Sequence, residues 1–369
     1  VLRHAWYAVA AGDEVAAAPK AVRLHGEELV VYRDDTGAVR AVAGHCPHRG
    51  CSLALARVDG DDLVCAYHGW RFAADGRLIA LPANRQGAPL PRTRLAAYPA
   101  QEAAGLVWVY AAGPETSPRP DTDAGAHDDG QPAGPRPFLP PQLPLFPELT
   151  EEGWHRLPFR CTWRAHFSRV VESVLDVSHL PFVHPETTGH NVSPVVKGPA
   201  FGVEDGRIWI HPTPFAPAHP MEPLPYPQDN ADTGDGRGTE IELLFPNQWI
   251  IRTPMEDGLS MCTFLTFTPT DDEHTEIFGL AMRNFDFAAP LLDTFHLEHT
   301  RFVMEQDQVV VESQRPRVAP QPQAEAHVAS DAPTLRYRKL LQRAWAGEQR
   351  SSQPVPPPHT LEEAPDKGE

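Results

Sequence analysis

Cysteine is scarce in this 369-residue chain: five residues, at 46, 51, 65, 161 and 262. So few, and an odd number, exclude the dense disulfide framework of a small secreted domain. Long apolar runs are absent as well. No stretch of about eighteen apolar residues exists to cross a bilayer as a helix. Positive charge is in deficit, with 32 Lys+Arg against 49 Asp+Glu and a formal net charge of −17. That balance, without a basic cluster interleaved with aromatics, argues against a general nucleic-acid binder. The segment Val1-Leu-Arg-His-Ala-Trp6 lacks the charged and apolar regions of a secretory signal, so the expectation is a cytoplasmic location. No internal repeat is visible. What is present is ordinary for a globular protein, 41% hydrophobic and 22% charged residues, in a length that suits two domains.

The 41 prolines are concentrated in segments, and those segments divide the chain. Residues 1–112 read as short strands punctuated by turns. Examples are Glu28–Tyr32, Ala38–Val42, Asp62–Cys65, Trp70–Phe72, Arg77–Ala80 after the Asp75-Gly76 hairpin signal, and Leu106–Tyr110. Strands without helical periodicity predict a small all-β domain. Residues 113–150 are rich in Pro, Gly and Asp and read as a linker or surface excursion. Residues 151–346 return to strands between 198 and 284, read as one antiparallel sheet. Helices are predicted at about 168–179, 288–313 and 332–346. Residues 227–238 read as a polar loop and 347–369 as a disordered tail. The fold class is therefore α+β, an all-β N-terminal domain followed by an antiparallel sheet flanked by helices.

Two stretches carry chemistry in the first domain: Cys46-Pro-His48-Arg-Gly50 and Cys65-Ala-Tyr-His68-Gly-Trp70. In each, one cysteine is paired with one histidine. Structural zinc usually takes cysteines in C-x2–4-C pairs and histidines in H-x3–5-H pairs. Mixed pairs instead suit a Rieske [2Fe–2S] cluster, where two thiolates hold one iron and two neutral imidazoles hold the other. Pro47, Gly50 and Gly69 supply the turns that bring four ligands together. These residues resemble the Rieske domain of ring-hydroxylating and demethylating oxygenases. Respiratory Rieske proteins carry a further cysteine in each loop. Cys51 stands where the first would be, but Tyr67 occupies the second position, so no bridge over the cluster can form. Cys51 then reads as a small hydrophobe.

The next informative stretch is Glu172-Ser-Val-Leu-Asp176-Val-Ser-His179-Leu-Pro181-Phe-Val-His184. On a helix, Asp176 and His179 would share a face, and Pro181 would break the helix and swing His184 back. Two histidines five apart are by themselves an ordinary surface pair. Beside a Rieske signature, D-x2-H-x4-H is the iron-binding segment that the resemblance leads one to seek. Mononuclear non-haem iron(II) takes two histidines and one carboxylate and keeps open positions. The 288–313 helix offers Asp293, Glu298, Glu305, Asp307 and Glu312. Of these, Asp307 falls in a stripe with Val303, Met304, Val310 and Val311, where an unpaired charge is costly. Glu305 and Glu312 fall on a polar stripe that reads as solvated. The run from Glu305 through Asp307 also resembles the family's late carboxylate segment.

The resemblance implies more. His179, His184 and Asp307 would hold the iron, and Cys46, His48, Cys65 and His68 the cluster. Asp176 would bridge, as a second-sphere carboxylate, to His68 of a neighbouring chain in a homotrimer; a local helix contact is its rival role. A ferredoxin or flavin reductase would deliver electrons, O2 would be activated, and oxygen inserted into a small aromatic or cyclic substrate. Arg49, Arg57 and Arg71 could dock an acidic donor or be ordinary surface charge. The Trp6-Tyr-Ala-Val-Ala10 run and single-chain layout resemble the branch of O-demethylases and hydroxylases, which implies monooxygenation rather than cis-dihydroxylation. A dihydroxylating dioxygenase, an electron-transfer protein with the cluster alone and a zinc-stabilised binding module are the alternatives. Phe167, Phe182, Trp249 and Phe264 are candidates for an apolar pocket or plain core. Ser173 stands where many members have Asn, and Glu172 is left open between an electron-transfer interface and a solvated position.

Overall fold

The computed structural model describes residues 2–16, 18–85, 88–113, 139–189, 200–211 and 239–351. Eleven short strands make up the N-terminal part: β1 (Trp6–Ala11), β2 (Lys20–Leu24), β3 (Glu27–Arg33), β4 (Val39–Ala43), β5 (Arg57–Asp59), β6 (Asp62–Val64), β7 (Arg71–Phe72), β8 (Leu78–Ala80), β9 (Ala97–Tyr98), β10 (Ala100–Ala103) and β11 (Leu106–Tyr110). They form three antiparallel sheets, in the orders β2-β3-β4-β9, β5-β6-β7-β8 and β1-β11-β10. The first two enclose a core of Val30, Tyr32, Val42, Leu53, Leu63 and Phe72. Strand β1 is buried along nearly its whole length, which explains its unbroken run of apolar residues.

The C-terminal part runs β12 (His155–Trp163), α1 (Phe167–Ser173), α2 (Leu180–Val183), β13 (Ala200–Glu204), β14 (Arg207–His211), β15 (Glu240–Leu244), β16 (Gln248–Pro254), β17 (Ser260–Pro269), β18 (Thr275–Arg283), α3 (Pro290–Ser313) and α4 (Ala332–Ser351). Its strands form one antiparallel sheet in the order β12-β18-β17-β16-β15-β14-β13. Side-chain alternation gives this sheet two faces. Phe264, Phe278, Leu280 and Met282 point to the back, where they meet Trp6, Trp108 and Tyr110 of the N-terminal part. Trp249, Leu265, Ile277 and Ala281 point to the front, toward α1 and α3. Phe264 is thus core on the side away from the helices, whereas Phe167 and Trp249 are buried on the front and Phe182 is 71% exposed.

Several expectations need correction. The predicted 168–179 helix ends at Ser173, and Asp176 and His179 lie outside it. The Asp176 carboxylate accepts from the Ser178 N–H at 2.7 Å and the Ser178 hydroxyl at 2.6 Å, a local turn that competes with helix continuation. Pro181 does not break a helix; it sits in the first turn of α2, where its missing N–H costs nothing. Strand β12 was not anticipated, although Leu157, Phe159, Cys161 and Trp163 alternate with polar residues and Pro158. As an edge strand it tolerates that proline. Within the segment expected to link the domains, Leu143, Phe146 and Leu149 are buried in the core behind the sheet. Helix α4 continues through Ser351, and Glu348 accepts from the His4 N–H at 2.7 Å, so 347–351 is not tail. The loop expected at 227–238 lies outside the described residues.

The turn after β2 ties the two parts together: His25 N–H donates to the Pro269 carbonyl at 2.8 Å and Gly26 N–H to Thr270 at 2.7 Å. Burial pushes the His25 imidazole down to about 3, and burial with Arg283 nearby pushes His296 down to about 4. Between those values and the ordinary value of 6.5, the unfolded chain binds protons that the folded chain does not. Stability should therefore fall as pH drops from about 6.5 toward 4, by up to about 1.4 kcal/mol per pH unit for each imidazole. Thermal melts across that window should show the loss, and His25→Asn should make it shallower.

Candidate functional site

The two cysteine–histidine loops close in the same way. In the first, Cys46 N–H donates to the Cys51 carbonyl and Gly50 N–H to Cys46, both at 2.9 Å. In the second, Cys65 N–H donates to Trp70 at 2.9 Å and Gly69 N–H to Cys65 at 3.0 Å. Both glycines have left-handed backbone, φ 67° and 68°, which only glycine adopts without strain. The repeat points both cysteines inward, each 3% exposed, into the core of the first two sheets. Both histidines face outward. The His48 and His68 rings lie 4.6 Å apart, and His48 stacks on Trp70 at 4.5 Å with an interplanar angle of 6°. Burial pushes the Cys46 thiol up to about 11, so it ionises readily only when a metal supplies compensating charge. Cys51 is free and half-buried, its Sγ donating to the Ser52 carbonyl at 3.6 Å.

The second constellation lies in front of the large sheet. His179 immediately precedes α2 and His184 immediately follows it, so one short helix holds both imidazoles. Asp307 comes from α3. Its Oδ1 is 3.0 Å from His184 Nε2 and 3.4 Å from His179 Nε2. One donor atom from each of the three residues lies within 4.8 Å of the other two. Burial pushes the Asp307 carboxyl upward, but hydrogen bonds from His179 and His184 outweigh it and hold it below the usual range. Gln306 accepts from His184 Nδ1 at 2.9 Å and from the Thr187 hydroxyl at 3.2 Å. That leaves Nε2 of His184 as the nitrogen facing the cluster. Behind it the chain turns tightly: a Cβ on Gly189 would collide with the Leu180 carbonyl oxygen.

Other acids of α3 are engaged elsewhere. Asp293 meets His155 Nε2 at 3.0 Å and also pairs with Arg283. Glu312 is not solvated as expected: it is 15% exposed and pairs with Arg164 at 3.2 Å. The apolar stripe is narrower than the sequence implied, since Met304 and Val311 are buried but Val310 is 45% exposed. Asp176 lies 4.0 Å from His179 Nδ1 and makes no hydrogen bond or ion pair with His68 of its own chain. The Ser173 hydroxyl donates to the Val170 carbonyl at 2.9 Å rather than reaching the cluster. Glu172 takes both arms of the Arg338 guanidinium, at 2.6 and 2.8 Å, which anchors α1 to α4. Of the three arginines near the cysteine loops, Arg57 and Arg71 are paired with Asp59 and Asp62, leaving Arg49 exposed. Sequence reasoning missed Gln306 and the pairing of Glu172 with Arg338, which buries Glu172 rather than leaving it solvated; adjacency to Asp307 was the one available signal for Gln306.

Known domain families match both parts of the chain. Residues 5–99 match the Rieske [2Fe-2S] domain, and residues 163–347 match the vanillate O-demethylase oxygenase C-terminal domain. The chain belongs to the Rieske oxygenases with this type of C-terminal domain. It is 29% identical to the 4beta-methylsterol monooxygenase of Methylococcus capsulatus, over 67% of this chain and 63% of that protein. It is 30% identical to the iron-sulfur subunit of the toluene-4-sulfonate monooxygenase system of Comamonas testosteroni, over 57% and 54%. The chain thus spans less than two thirds of the length of these curated relatives. The fold matches that of Pseudomonas putida CBB5 NdmA with caffeine, with TM-score 0.73, 23% identity, and 95% and 93% of the two chains covered. Dicamba monooxygenase bound to dicamba gives TM-score 0.70 at 18% identity, covering 95% and 99%.

The two matched domains imply a Rieske cluster and a mononuclear iron, and the donor sets suit each. Two buried thiols opposite two accessible imidazoles suit a cluster with unlike irons. Two imidazoles and one carboxylate converging on a point suit a facial iron site. Gln306 orients one of those imidazoles, so Gln306→Leu should weaken iron affinity about tenfold to a hundredfold. Competition with a chelator would measure this, with the cluster's absorbance unchanged.

Proposed function

We propose that this chain is the terminal oxygenase of a multicomponent system. It receives electrons from a ferredoxin or flavin reductase and inserts oxygen from O2 into a small ring-containing substrate, by hydroxylation or demethylation. The convergence of His179, His184 and Asp307 within 4.8 Å, in a chain that also carries the paired cysteine–histidine loops, is the observation that supports it. When bound, the cluster would supply single electrons and the iron would supply dioxygen activation. The relatives' names, a methylsterol and an arenesulfonate monooxygenase, support a ring substrate and monooxygenation.

The residues divide the work. Cys46, His48, Cys65 and His68 form the entry for electrons; the two histidines face solvent where a donor protein can approach. Residues 1–112 form this entry unit and 151–346 the catalytic unit. His179, His184 and Asp307 would hold the iron, which would activate dioxygen beside the substrate. Asp176 has one oxygen committed to Ser178. Its other oxygen lies 4.0 Å from His179 and stays available to an imidazole from outside. We read that imidazole as His68 of a neighbouring chain in a homotrimer, so that one carboxylate orients a ligand of each metal. The location we favour is cytoplasmic; among the described residues no helix is long and apolar enough to cross a membrane.

Fully loaded protein should contain three irons per chain and show a Rieske electron paramagnetic resonance signal when reduced. Asp307→Ala should keep that signal and lose the third iron and substrate oxidation. Two irons per chain in wild type, or unchanged activity in the variant, would sink the reading. Transfer between chains has its own test. His68→Ala and Asp307→Ala chains, each inactive alone, should recover partial activity when co-assembled. Absence of recovery in a verified mixed oligomer would refute the cross-chain arrangement.

A further inference from the structure

A second polar cluster sits on the front of the large sheet, at the end of α3 far from Asp307. Arg283 is fully buried. Its Nε donates to the Phe285 carbonyl at 3.1 Å, and its Nη2 donates to the Asp286 carbonyl at 2.9 Å and to Asp293. Among the described residues its Nη1 has no partner. His296 is 4% exposed, and its Nδ1 has no partner among them either. Buried polar groups without partners are costly and call for an explanation.

Position supplies one. His296 and Asp307 are eleven residues apart, three turns, so both leave α3 on nearly the same face. Arg283 points to the front of the sheet, as Ala281 and Ile277 do. The adjoining cross-strand row is Ile251–Thr263–Ala281–Leu157. Its Ile251, Thr263 and Leu157 are only partly buried, although they lie on the face where the core should close. Among the described residues the front of the sheet is thus only partly covered between the two polar clusters.

We propose that Arg283 and His296 recognise an uncharged oxygen, a hydroxyl or a carbonyl, at the far end of an elongated substrate. This rests on the oxygenase reading above. The length follows from two measures. Eleven helical residues span about 16 Å along α3. Along the sheet, Gln308 beside Asp307 donates to the Thr162 carbonyl at 3.4 Å, while Arg283 pairs with His155; seven strand residues span roughly 20 Å. Even after the reach of the side chains, that exceeds one benzene ring and suits two. The preference for an uncharged oxygen follows from charge: Asp293 already neutralises Arg283, and burial keeps His296 uncharged, so a carboxylate would enter buried without a counter-charge.

Anaerobic calorimetry on the iron- and cluster-loaded full chain tests this without turnover. The probes are 4-hydroxy-4′-methoxybiphenyl, 4-methoxybiphenyl, and the single-ring pair 4-methoxyphenol and anisole. In wild type the hydroxyl should tighten binding of the biphenyl about tenfold and of the single ring by no more than about threefold. Arg283→Met and His296→Phe should each cut the biphenyl advantage to about threefold or less, with affinity for 4-methoxybiphenyl retained. Should loss of Asp293's partner unfold Arg283→Met, His296→Phe carries the test. Equal affinity for the two biphenyls in wild type, a hydroxyl advantage equally large for the single ring, or one that survives His296→Phe would each overturn the proposal. The Rieske signal and iron count of the same samples show separately whether the oxygenase reading itself has failed.

Discussion

The carboxylate of Asp307, held between His179 and His184 in a mostly buried space, is the constraint around which the C-terminal part is organised. A lone carboxylate there would be prohibitively costly. It is tolerated because two imidazoles converge on one of its oxygens at 3.0 and 3.4 Å. For that to happen α3 must lie at a set height above the sheet, and ion pairs near its two ends hold it there. Asp293 grips Arg283 and His155 near the start, and Glu312 grips Arg164 near the finish. On the other side, the buried Glu172–Arg338 pair and the Trp249 indole, which donates to the Val174 carbonyl at 3.0 Å, fix the end of α1. The loop carrying Asp176 and His179 starts from that anchored point. These are geometric devices, and their contribution lies in orientation more than in net stability.

The N-terminal part meets a different demand by partition. Its two loops repeat one hydrogen-bond pattern, which sends thiols into an apolar core and imidazoles toward solvent. One half of the cluster site is dry and the other accessible, as an entry for electrons requires. The same outward placement puts His68 where a second chain can reach it and leaves it out of contact with Asp176 of its own chain. Among the described residues no hydrogen bond or ion pair joins His68 to Asp176 of the same chain, and this motivates the exchange between chains proposed above.

Much of this was legible in the residues. The mixed cysteine–histidine pairs announce their chemistry because four ligands at short spacing have few other uses. Asp307 stood out because a charge among Val303, Met304 and Val311 needs a reason. Glu312 was misread: its neighbours on the helix are polar, but the Arg164 backbone N–H and guanidinium, just beyond β12, engage its carboxylate. The helix expected through Asp176 and His179 failed because Ser178 donates twice to Asp176, a local bond stronger than the periodicity that predicted helix. Pro181, read as a terminator, begins a helix because its neighbours place it in the first turn. Leu143, Phe146 and Leu149 were hidden in a Pro-rich stretch whose composition resembles linker while its apolar side chains fill a core.

Ligand types and their local spacing are written along the chain, and so are strand alternation and the absence of membrane, disulfide and nucleic-acid signatures. From these follow the class of the cluster site and the α+β architecture, because short-range geometry depends on neighbours in sequence; the iron site was sought through the resemblance to Rieske oxygenases. Only the tertiary structure brought Gln306 to His184, Arg338 to Glu172, and Arg283 and His296 to the far end of the sheet's open face. Those pairs join residues separated by up to 166 positions, and no periodicity within one element encodes a meeting between two. The choice of ligands for the cluster was therefore local, whereas the meeting of Asp307 with His179 and His184, and the polarity of the space beside them, were decided by how α3 lies across the sheet.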